Sequence, residues 1–487
     1  MSKSLKKNFI FNILLAVSNT LIPVLTFPYV SRVLNPQGLG MTNYANSVVS
    51  YLVFFACFGV NTYGLKEGAK YRNSDEKMNK FFQEMICINI VTTGLAILLL
   101  VIIGLIPINK SYTLLLAIYG LQIFSSTFSM SWYVAAIEEF EYVTIRSIII
   151  QMFCMLLTFA LVKNASDYYM YAIISSLSSL LTMIINITFV RKKTGKLVRD
   201  KLEIKKHIKP MAQVFGGSLS NIIYSNSDLT MLGLMVGDYH VGVYAVSVKI
   251  VRVMITLVSS LSTVILPRNS FYKNNNMISE YYSLLKRGLD FLVMISLPSA
   301  VGVSILSDEM VLMFAGNRYL DAIINLRILA FNILISSFSA YILHQIVLTN
   351  NMERVFFSST LIACIINIIL NVFLIPLYYE NAAAISTLIS EALAGLSCIF
   401  FTKKHIDYKY LLSNIRDYLV ATIVMCSLLV LVKTVIIEHC SAIIIILIVV
   451  PLGVVVYCVT LRVLKNYLFI SLIGQIKQIW RKKIWHH

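Results

Sequence analysis

The sequence predicts an all-α integral membrane protein with fourteen transmembrane helices. Of its 487 residues, 58% are hydrophobic and 13% are charged, and the charged fraction of a soluble domain is about 25%. The mean hydropathy is +0.79, and no polar stretch is long enough to form a soluble domain. The apolar runs are too long and too continuous for the alternating strands of a membrane barrel, so they are expected to be helices.

The individual helices follow from the length of each apolar run, because a transmembrane helix needs about 20 mostly apolar residues. The first run follows three lysines but is longer than the apolar segment of a signal peptide, and we expect it to be retained. The fourteen runs are roughly 8–33, 41–62, 81–106, 112–136, 145–162, 168–190, 210–236, 240–267, 288–306, 321–348, 355–376, 382–402, 417–436 and 442–463.

The positions of the basic residues support this count. Loops on the cytoplasmic side of a membrane protein are enriched in Lys and Arg. If the N-terminus is cytoplasmic, 33 of the 41 basic residues fall in or beside the predicted inside loops. We therefore expect both termini in the cytoplasm. These loops also account for the net charge of +18. In a soluble protein such a charge would suggest binding to nucleic acid, but because the loops explain it here, no nucleic-acid partner is expected.

A basic loop divides the predicted helices into groups. The connection RKKTGKLVRDKLEIKKHIKP follows helix six, and the similar segments NYANSV (43–48) and VYAVSV (243–248) begin helices two and eight. This placement indicates a duplicated six-helix half, with the last two helices peripheral and a basic amphipathic tail on the inner membrane surface. The predicted parts are an N-terminal lobe (1–190), a connector (191–209), a C-terminal lobe (210–402), two further helices (403–463) and a tail (464–487).

Polar residues inside the predicted spans are the candidate site. An ionisable side chain at the bilayer centre costs about 3 kcal/mol or more unless it faces a partner or a water-filled cavity. The candidate substrate-binding cations are Lys249, Arg252, Arg327 and Arg32, and the buried carboxylates are Asp228 and Glu391. Further polar residues expected to line the cavity are Asn19, Asn43, Asn46, Asn221 and Ser225.

Two interpretations of these charges remain open. Asp228 and Lys249 lie equally far from the turn between helices seven and eight, so they should lie at one depth and could form an ion pair that only fixes the hairpin. The functional interpretation is a cationic cavity for an anionic substrate, which also accounts for Arg252 one turn deeper. Arg32 and Arg146 lie near helix ends, where a side chain can extend to the lipid headgroups instead.

Motifs for catalysis are missing from the sequence. It contains no Walker loop, no HExxH and no GxSxG, and its eight cysteines form no CxxC pair. We therefore predict no catalytic residues, no metal and no enzyme activity. A membrane-bound polymerase would need a long outer loop, and no predicted outer loop exceeds about fifteen residues. Duplicated helical halves with proline-broken helices and buried cations are typical of secondary transporters.

Five segments resemble one transporter family. The segments TFPYVSRVLNPQGLGMTNYANSVVSY (26–51) and FGVNTYGLKEGAKYRN (58–73) are similar to the start of the Wzx-type polysaccharide flippases, a branch of the MATE-like exporter superfamily. The segments SWYVAAIEEFEYVTIRSI (131–148), DLTMLGLMVGDYHVGVYAVSVKI (228–250) and INIILNVFLIPLYYENAAAISTLISE (366–391) fit the same pattern. One departure is Tyr379-Glu380-Asn381, where the family commonly has a glycine-containing turn.

The resemblance implies a MATE-like fold and a specific activity. Such a protein flips an oligosaccharide repeat unit linked to undecaprenyl pyrophosphate across the bacterial inner membrane, for O-antigen, capsule or exopolysaccharide. The implied partners are this lipid-linked oligosaccharide, membrane lipids, and a polysaccharide polymerase with its chain-length regulator. No cofactor is implied beyond a proton or sodium gradient, for which Asp228 and Glu391 are the candidate ion carriers.

Two alternatives share this fold. A MATE-type drug exporter carries cations and should have an acid-rich cavity, whereas the deep charges here are mainly Lys249, Arg252 and Arg327. A lipid II flippase also has a cationic cavity, but the cavity arginines of that family lie largely in the first lobe, whereas the deep cations here lie in the predicted second lobe, after residue 210. Both alternatives stay open on the sequence alone.

Overall fold

The computed structural model describes residues 5–194, 202–350, 352–404, 406–436 and 441–484, and within these ranges all regular structure is helical. The chain divides into two compact units, Met1–Ala245 and Val246–His487. The all-α membrane fold predicted from the sequence is confirmed. The first unit extends beyond the predicted N-terminal lobe (1–190), since it also contains the helix after the connector and the start of the following helix. The predicted bounds of the lobes stay a prediction.

The helices are long, and most connections between them are short. Those of the first unit are α1 (Leu5–Cys57), α2 (Val60–Tyr71), α3 (Asp75–Leu105), α4 (Thr113–Thr127), α5 (Ser131–Ala136), α6 (Phe140–Leu161), α7 (Tyr168–Lys193), α8 (Lys205–Met235) and the first turns of α9 (Asp238–Asn274). Those of the second unit are the rest of α9, α10 (Ile278–Ile305), α11 (Ser307–Phe314), α12 (Ala322–Ala330), α13 (Asn332–Ile342), α14 (Glu353–Thr402), α15 (Tyr408–Leu411), α16 (Ile415–Ile436), α17 (Ala442–Val463) and α18 (Tyr467–Ile484).

Two of these helices are each broken at one residue. The 53 residues of α1 would extend about 80 Å as one straight helix, far more than the bilayer core of about 30 Å. Asn35 interrupts α1 with φ 61° and ψ 169°, a left-handed φ that Asn tolerates and an extended ψ that suits the proline after it. Tyr379 interrupts α14 with φ 52° and ψ −132°, at the position where the sequence lacks the family's glycine-containing turn.

The number of spans is consistent with the predicted fourteen. Eleven stretches of the described residues are long and apolar enough to cross a membrane, and two of them, Ile10–Tyr71 and Glu353–Thr402, contain the breaks at Asn35 and Tyr379. Helix α8 is not among the eleven although it is 31 residues long, because polar residues lower its hydropathy. Dividing the two broken stretches and adding α8 is consistent with fourteen crossings.

Each unit has its own core. In the first unit, α2, α3, α5 and α8 pack through a buried cluster that includes Phe81, Met85, Trp132 and Met211. In the second unit, four large tyrosines are fully buried, at positions 281, 319, 341 and 418. The tyrosine hydroxyls need partners when buried, and that of Tyr341 donates to the carbonyl of Leu285 at 2.8 Å.

Candidate functional site

Backbone-to-backbone contacts join the second half of α1 to the turn between α8 and α9. A Cβ atom on Gly40 would lie 1.8 Å from the carbonyl oxygen of Asp238, and one on Gly242 would lie 2.0 Å from the carbonyl oxygen of Pro36. Real Cβ atoms do not approach other atoms so closely, so both positions need glycine for this packing. The α8–α9 hairpin of the first unit is therefore packed directly against the backbone of α1.

Tyrosine hydroxyls surround these glycine contacts. Tyr112 donates to the carboxylate of Asp238 at 2.7 Å, and Tyr44 donates to the side-chain oxygen of Asn109 at 2.8 Å. The two tyrosine rings are 4.6 Å apart between centroids, within the range of favourable aromatic pairs. The hydroxyls of Ser47 and Thr230 are 2.9 Å apart and add a link between α1 and α8. These contacts fix the position of the α8–α9 turn within the first unit.

Asp228 is buried in the first unit and accepts a hydrogen bond from Tyr244. The hydroxyl of Tyr244 is 2.5 Å from a carboxylate oxygen of Asp228, which is 8% exposed. Two other residues of the predicted polar stripe on α8, Asn221 and Ser225, are exposed. The sequence analysis identified Asp228 as a candidate but missed Tyr244. The feature that could have identified Tyr244 is its position on the opposite arm of the same helical hairpin. The suggested pairing of Asp228 with Lys249 stays a prediction.

The predicted cations of α9 follow one another at helical spacing in the second unit. Lys249 is partly buried and Arg252 is exposed, and the two lie three residues apart within one continuous helix. Residues at this spacing face the same side of a helix. The structure therefore presents two positive charges on one face of a membrane-spanning segment.

Arg327 belongs to an ion network in the second unit. Its guanidinium donates to the Ser307 hydroxyl at 2.9 Å and to the Asp308 carboxylate at 2.7 Å. Lys433 donates to the same carboxylate at 3.1 Å. Burial alone would raise the pKa of Asp308, but the hydrogen bonds and charges of Arg327 and Lys433 outweigh it and lower that pKa below its ordinary value. The charge of Arg327 is thus partly neutralised within the unit.

The other predicted polar residues have mixed environments. The side-chain amide of Asn43 donates to the Leu39 carbonyl at 2.8 Å, one turn earlier in its own helix, and Asn46 is partly buried. The exposed Asn19 accepts a hydrogen bond from Gln151 at 2.6 Å. Arg32 is exposed. In the second unit, the backbone carbonyl of the partly buried Glu391 accepts a hydrogen bond from Ser339 at 3.0 Å.

Arg146 is buried, in contrast to the expectation that it could extend to headgroups. It is 8% exposed, donates to the side-chain oxygen of Asn186, and lies 5.6 Å from the centroid of the Tyr142 ring. Sequence reasoning also missed a buried contact between Glu84 and His207. Neither residue stood out, because Glu84 begins an apolar run and His207 follows a basic loop.

The fold is shared with solved membrane transporters of the lipid II flippase and MATE types. Lipid II flippase MurJ in an inward closed conformation superposes with a TM-score of 0.78 at 15% identity, covering 96% of this chain and all of that chain. An inward-facing multidrug resistance MATE family transporter gives a TM-score of 0.57 at 13% identity, covering 81% of this chain and 97% of that chain. At these identities the likeness concerns the fold alone. The chain is a multi-pass membrane protein with this transporter fold.

The family is defined by the sequence match. Residues 5–273 match the family described as "Polysaccharide biosynthesis protein", and the chain belongs to this family. An Escherichia coli K12 protein named "Putative O-antigen transporter" is 26% identical over 82% of this chain and 97% of its own length. A Haloferax volcanii protein named "Probable low-salt glycan biosynthesis flippase Agl15" is 23% identical over 44% of this chain and 45% of its own length. The predicted resemblance to polysaccharide transporters is confirmed.

Proposed function

We propose that the chain is a flippase for oligosaccharide repeat units linked to undecaprenyl pyrophosphate. It moves them across the bacterial inner membrane by alternating access, for O-antigen, capsule or exopolysaccharide synthesis. The observation that carries the proposal is the pair Lys249 and Arg252 on one face of a membrane-spanning helix, in a chain whose family is described by polysaccharide biosynthesis. The relatives named as transporters and flippases give further support.

The chemistry of the substrate fits these residues. A pyrophosphate is a compact anion, and charge-assisted hydrogen bonds from Lys and Arg are the strong contacts for phosphate oxygens. An exposed Arg252 within a membrane-spanning segment is costly unless it meets water or an anion. The polyprenyl tail is apolar and can stay in the lipid. Moving such a molecule breaks no covalent bond, so the proposed activity needs no catalytic residue.

The orientation and energy source are part of the proposal. Both termini lie in the cytoplasm, as the distribution of basic residues predicts. A proton or sodium gradient drives the cycle, with Asp228 and Glu391 as the candidate carriers. Asp228 suits this role because a buried carboxylate next to a hydroxyl can exchange an ion. A polymerase and its chain-length regulator use the product on the outer side.

The test is export in cells that lack their own polysaccharide flippase. The chain should restore surface polysaccharide, and Arg252→Gln should abolish it at a normal level of membrane protein, while Arg252→Lys restores part of it. Arg268→Gln is the matched control, because Arg268 is also exposed on α9 but bonds to Tyr272 at 2.8 Å near the end of the helix. This control should export normally.

Two further assays separate the alternatives. If the chain instead rescues cells depleted of their lipid II flippase, or raises resistance to cationic drugs without restoring polysaccharide, the proposed substrate is wrong. Full export by Arg252→Gln would show that this cation does not hold the pyrophosphate.

A further inference from the structure

The buried Glu84 and His207 and the partly buried Tyr63 form a continuous hydrogen-bonded chain in the first unit. The imidazole Nε2 of His207 is 2.7 Å from a carboxylate oxygen of Glu84, and its Nδ1 is 2.8 Å from the hydroxyl of Tyr63. The side chains of His207 and Glu84 are only 3% and 2% exposed. A buried pair of titratable groups is costly unless the two satisfy each other, and the 2.7 Å contact between His207 and Glu84 does so here.

This chain of groups connects three separate segments. Tyr63 lies on α2, Glu84 on α3 and His207 in the first turn of α8. The second carboxylate oxygen of Glu84 accepts the backbone N–H of Glu203 at 2.8 Å, just before α8 begins. Both oxygens of one buried carboxylate therefore hold the start of α8, the helix that leads along the chain to the α8–α9 turn.

The charged groups around the site largely pair at the surface. On the α8 side, Lys206 bonds Glu203 at 2.6 Å and is 3.9 Å from Glu84. The bond from Lys206 lowers the pKa of Glu203 below its ordinary value. Lys80 of α3 is 3.9 Å from Glu203.

On α2, Glu67 pairs with Lys70 at 2.7 Å. The hydroxyl of Tyr63 also interacts electrostatically with four neighbouring side chains, those of Glu67, Tyr71, Lys206 and Glu84.

His207 is thus the buried group in direct contact with the buried carboxylate, whereas the side chain of Lys206 is 46% exposed and its ammonium is farther away. Imidazole is the side chain whose charge ordinarily changes between pH 5 and 8. The Tyr63 hydroxyl accommodates both states, because it donates to Nδ1 of a neutral ring and accepts from Nδ1 of a protonated one.

We propose that Glu84, His207 and Tyr63 form a proton-binding site, and that the bound proton holds the start of α8 against α2 and α3. A proton taken from solvent by His207 turns the contact with Glu84 into an ion pair. In the docked state the protonated imidazole is attracted to the Glu84 carboxylate 2.7 Å away, and separating α8 from α3 loses this attraction, so acidification favours the docked state. The inference stands on this geometry and does not depend on the identity of the transported molecule.

Backbone hydrogen exchange of residues 202–212 tests the proposal in the full chain, held in lipid nanodiscs without substrate. After correction for the intrinsic exchange rate, protection should fall as the pH is raised, by up to about tenfold per pH unit for one linked proton. Glu84→Gln and His207→Gln should each lose this pH dependence while keeping the helix content of the unmodified protein.

Two control variants isolate the buried pair. Glu203→Gln removes an exposed carboxylate that bonds Lys206 but keeps the backbone N–H that bonds Glu84. His344→Gln removes an exposed histidine of the second unit. Both should retain the pH dependence. Protection that does not change with pH in the unmodified protein, or an unchanged response in Glu84→Gln or His207→Gln, would overturn the proposal. Because no substrate is present, either result leaves the proposed flippase activity to its own test.

Discussion

Lys433 of α16 lies against Glu309 of α11, with its ammonium 3.0 Å from the glutamate carboxylate. The ammonium also donates to the backbone carbonyl of Ile305 at 2.7 Å. Glu309 is only 3% exposed and Lys433 is 14% exposed. The pair therefore fixes a helix near the end of the chain to the interior of the second unit.

Lys433→Met should destabilise the protein, because it leaves the Glu309 carboxylate buried without its cation. Breaking a buried pair from one side typically costs about 3–5 kcal/mol. Thermal unfolding in detergent should show a lower midpoint for this variant, and Lys433→Met with Glu309→Leu should recover most of the loss. Arg416→Met is the control, since Arg416 is exposed in the first turn of the same helix. If Lys433→Met and Arg416→Met lowered the unfolding midpoint equally, the stabilising role of the buried pair would be contradicted.

Asp308 should make stability depend on pH in the acidic range. Its pKa is lowered in the folded protein by Arg327 and Lys433, which outweigh the effect of burial. A carboxyl with a lowered pKa contributes stability above its unfolded pKa of about 3.9, and this contribution is lost as the pH falls through the folded value. The unfolding midpoint should drop on acidification below about pH 4, and less steeply in Asp308→Asn. If the unfolding midpoint fell equally steeply with pH in the unmodified protein and in Asp308→Asn, Asp308 would not contribute to the pH dependence of stability.

Gly40→Ala and Gly242→Ala should each destabilise the first unit. The new methyl group would lie 1.8 Å or 2.0 Å from a backbone carbonyl oxygen, and a carbonyl within packed helices cannot move away freely. Overpacking of this kind costs about 1–3 kcal/mol. Gly104→Ala is the matched control, because its added Cβ meets no atom within 4 Å, and Ala favours a helix over Gly by up to about 1 kcal/mol. Unfolding midpoints should fall for the first two variants and not for the control.

Topology reporters test the proposed orientation. Fusions after residues 75, 275 and 408 should report the cytoplasm, and fusions after residues 109, 165 and 238 should report the outside. The reason is the concentration of Lys and Arg in alternate loops. A cytoplasmic signal from residue 238 would place the α8–α9 turn on the wrong side and would contradict the fourteen-crossing scheme.

The sequence predicted the class of fold because hydrophobic length and loop charge are local properties. The breaks at Asn35 and Tyr379 lie between pairs of apolar runs that the sequence predicts as separate spans. Partners distant in sequence were not predictable in this way. Glu84 and His207 are 123 residues apart, and their contact depends on how α3 and α8 pack. Lys433 lies on α16 and its acidic partners lie on α11, so its pairing cannot be inferred from its own helix.

For the candidate site, the sequence predicts which residues are unusual, but it does not predict the environment of each side chain. The sequence identified Asp228 as a buried carboxylate, and the structure adds the hydroxyl of Tyr244. Arg327 was expected to serve the substrate, and the structure gives it Asp308 as a neighbour. Charge inside an apolar run marks an unusual residue, but the direction of its side chain depends on tertiary packing.

The most direct test of the central claim is flipping in reconstituted vesicles. Liposomes containing the purified chain and an oligosaccharide linked to undecaprenyl pyrophosphate are probed with a lectin that cannot cross the membrane. With a proton or sodium gradient imposed, we predict that the unmodified chain and Arg268→Gln move the oligosaccharide between leaflets faster than protein-free vesicles, and that Arg252→Gln does not. Movement by the unmodified chain at the rate of protein-free vesicles would contradict the proposed function.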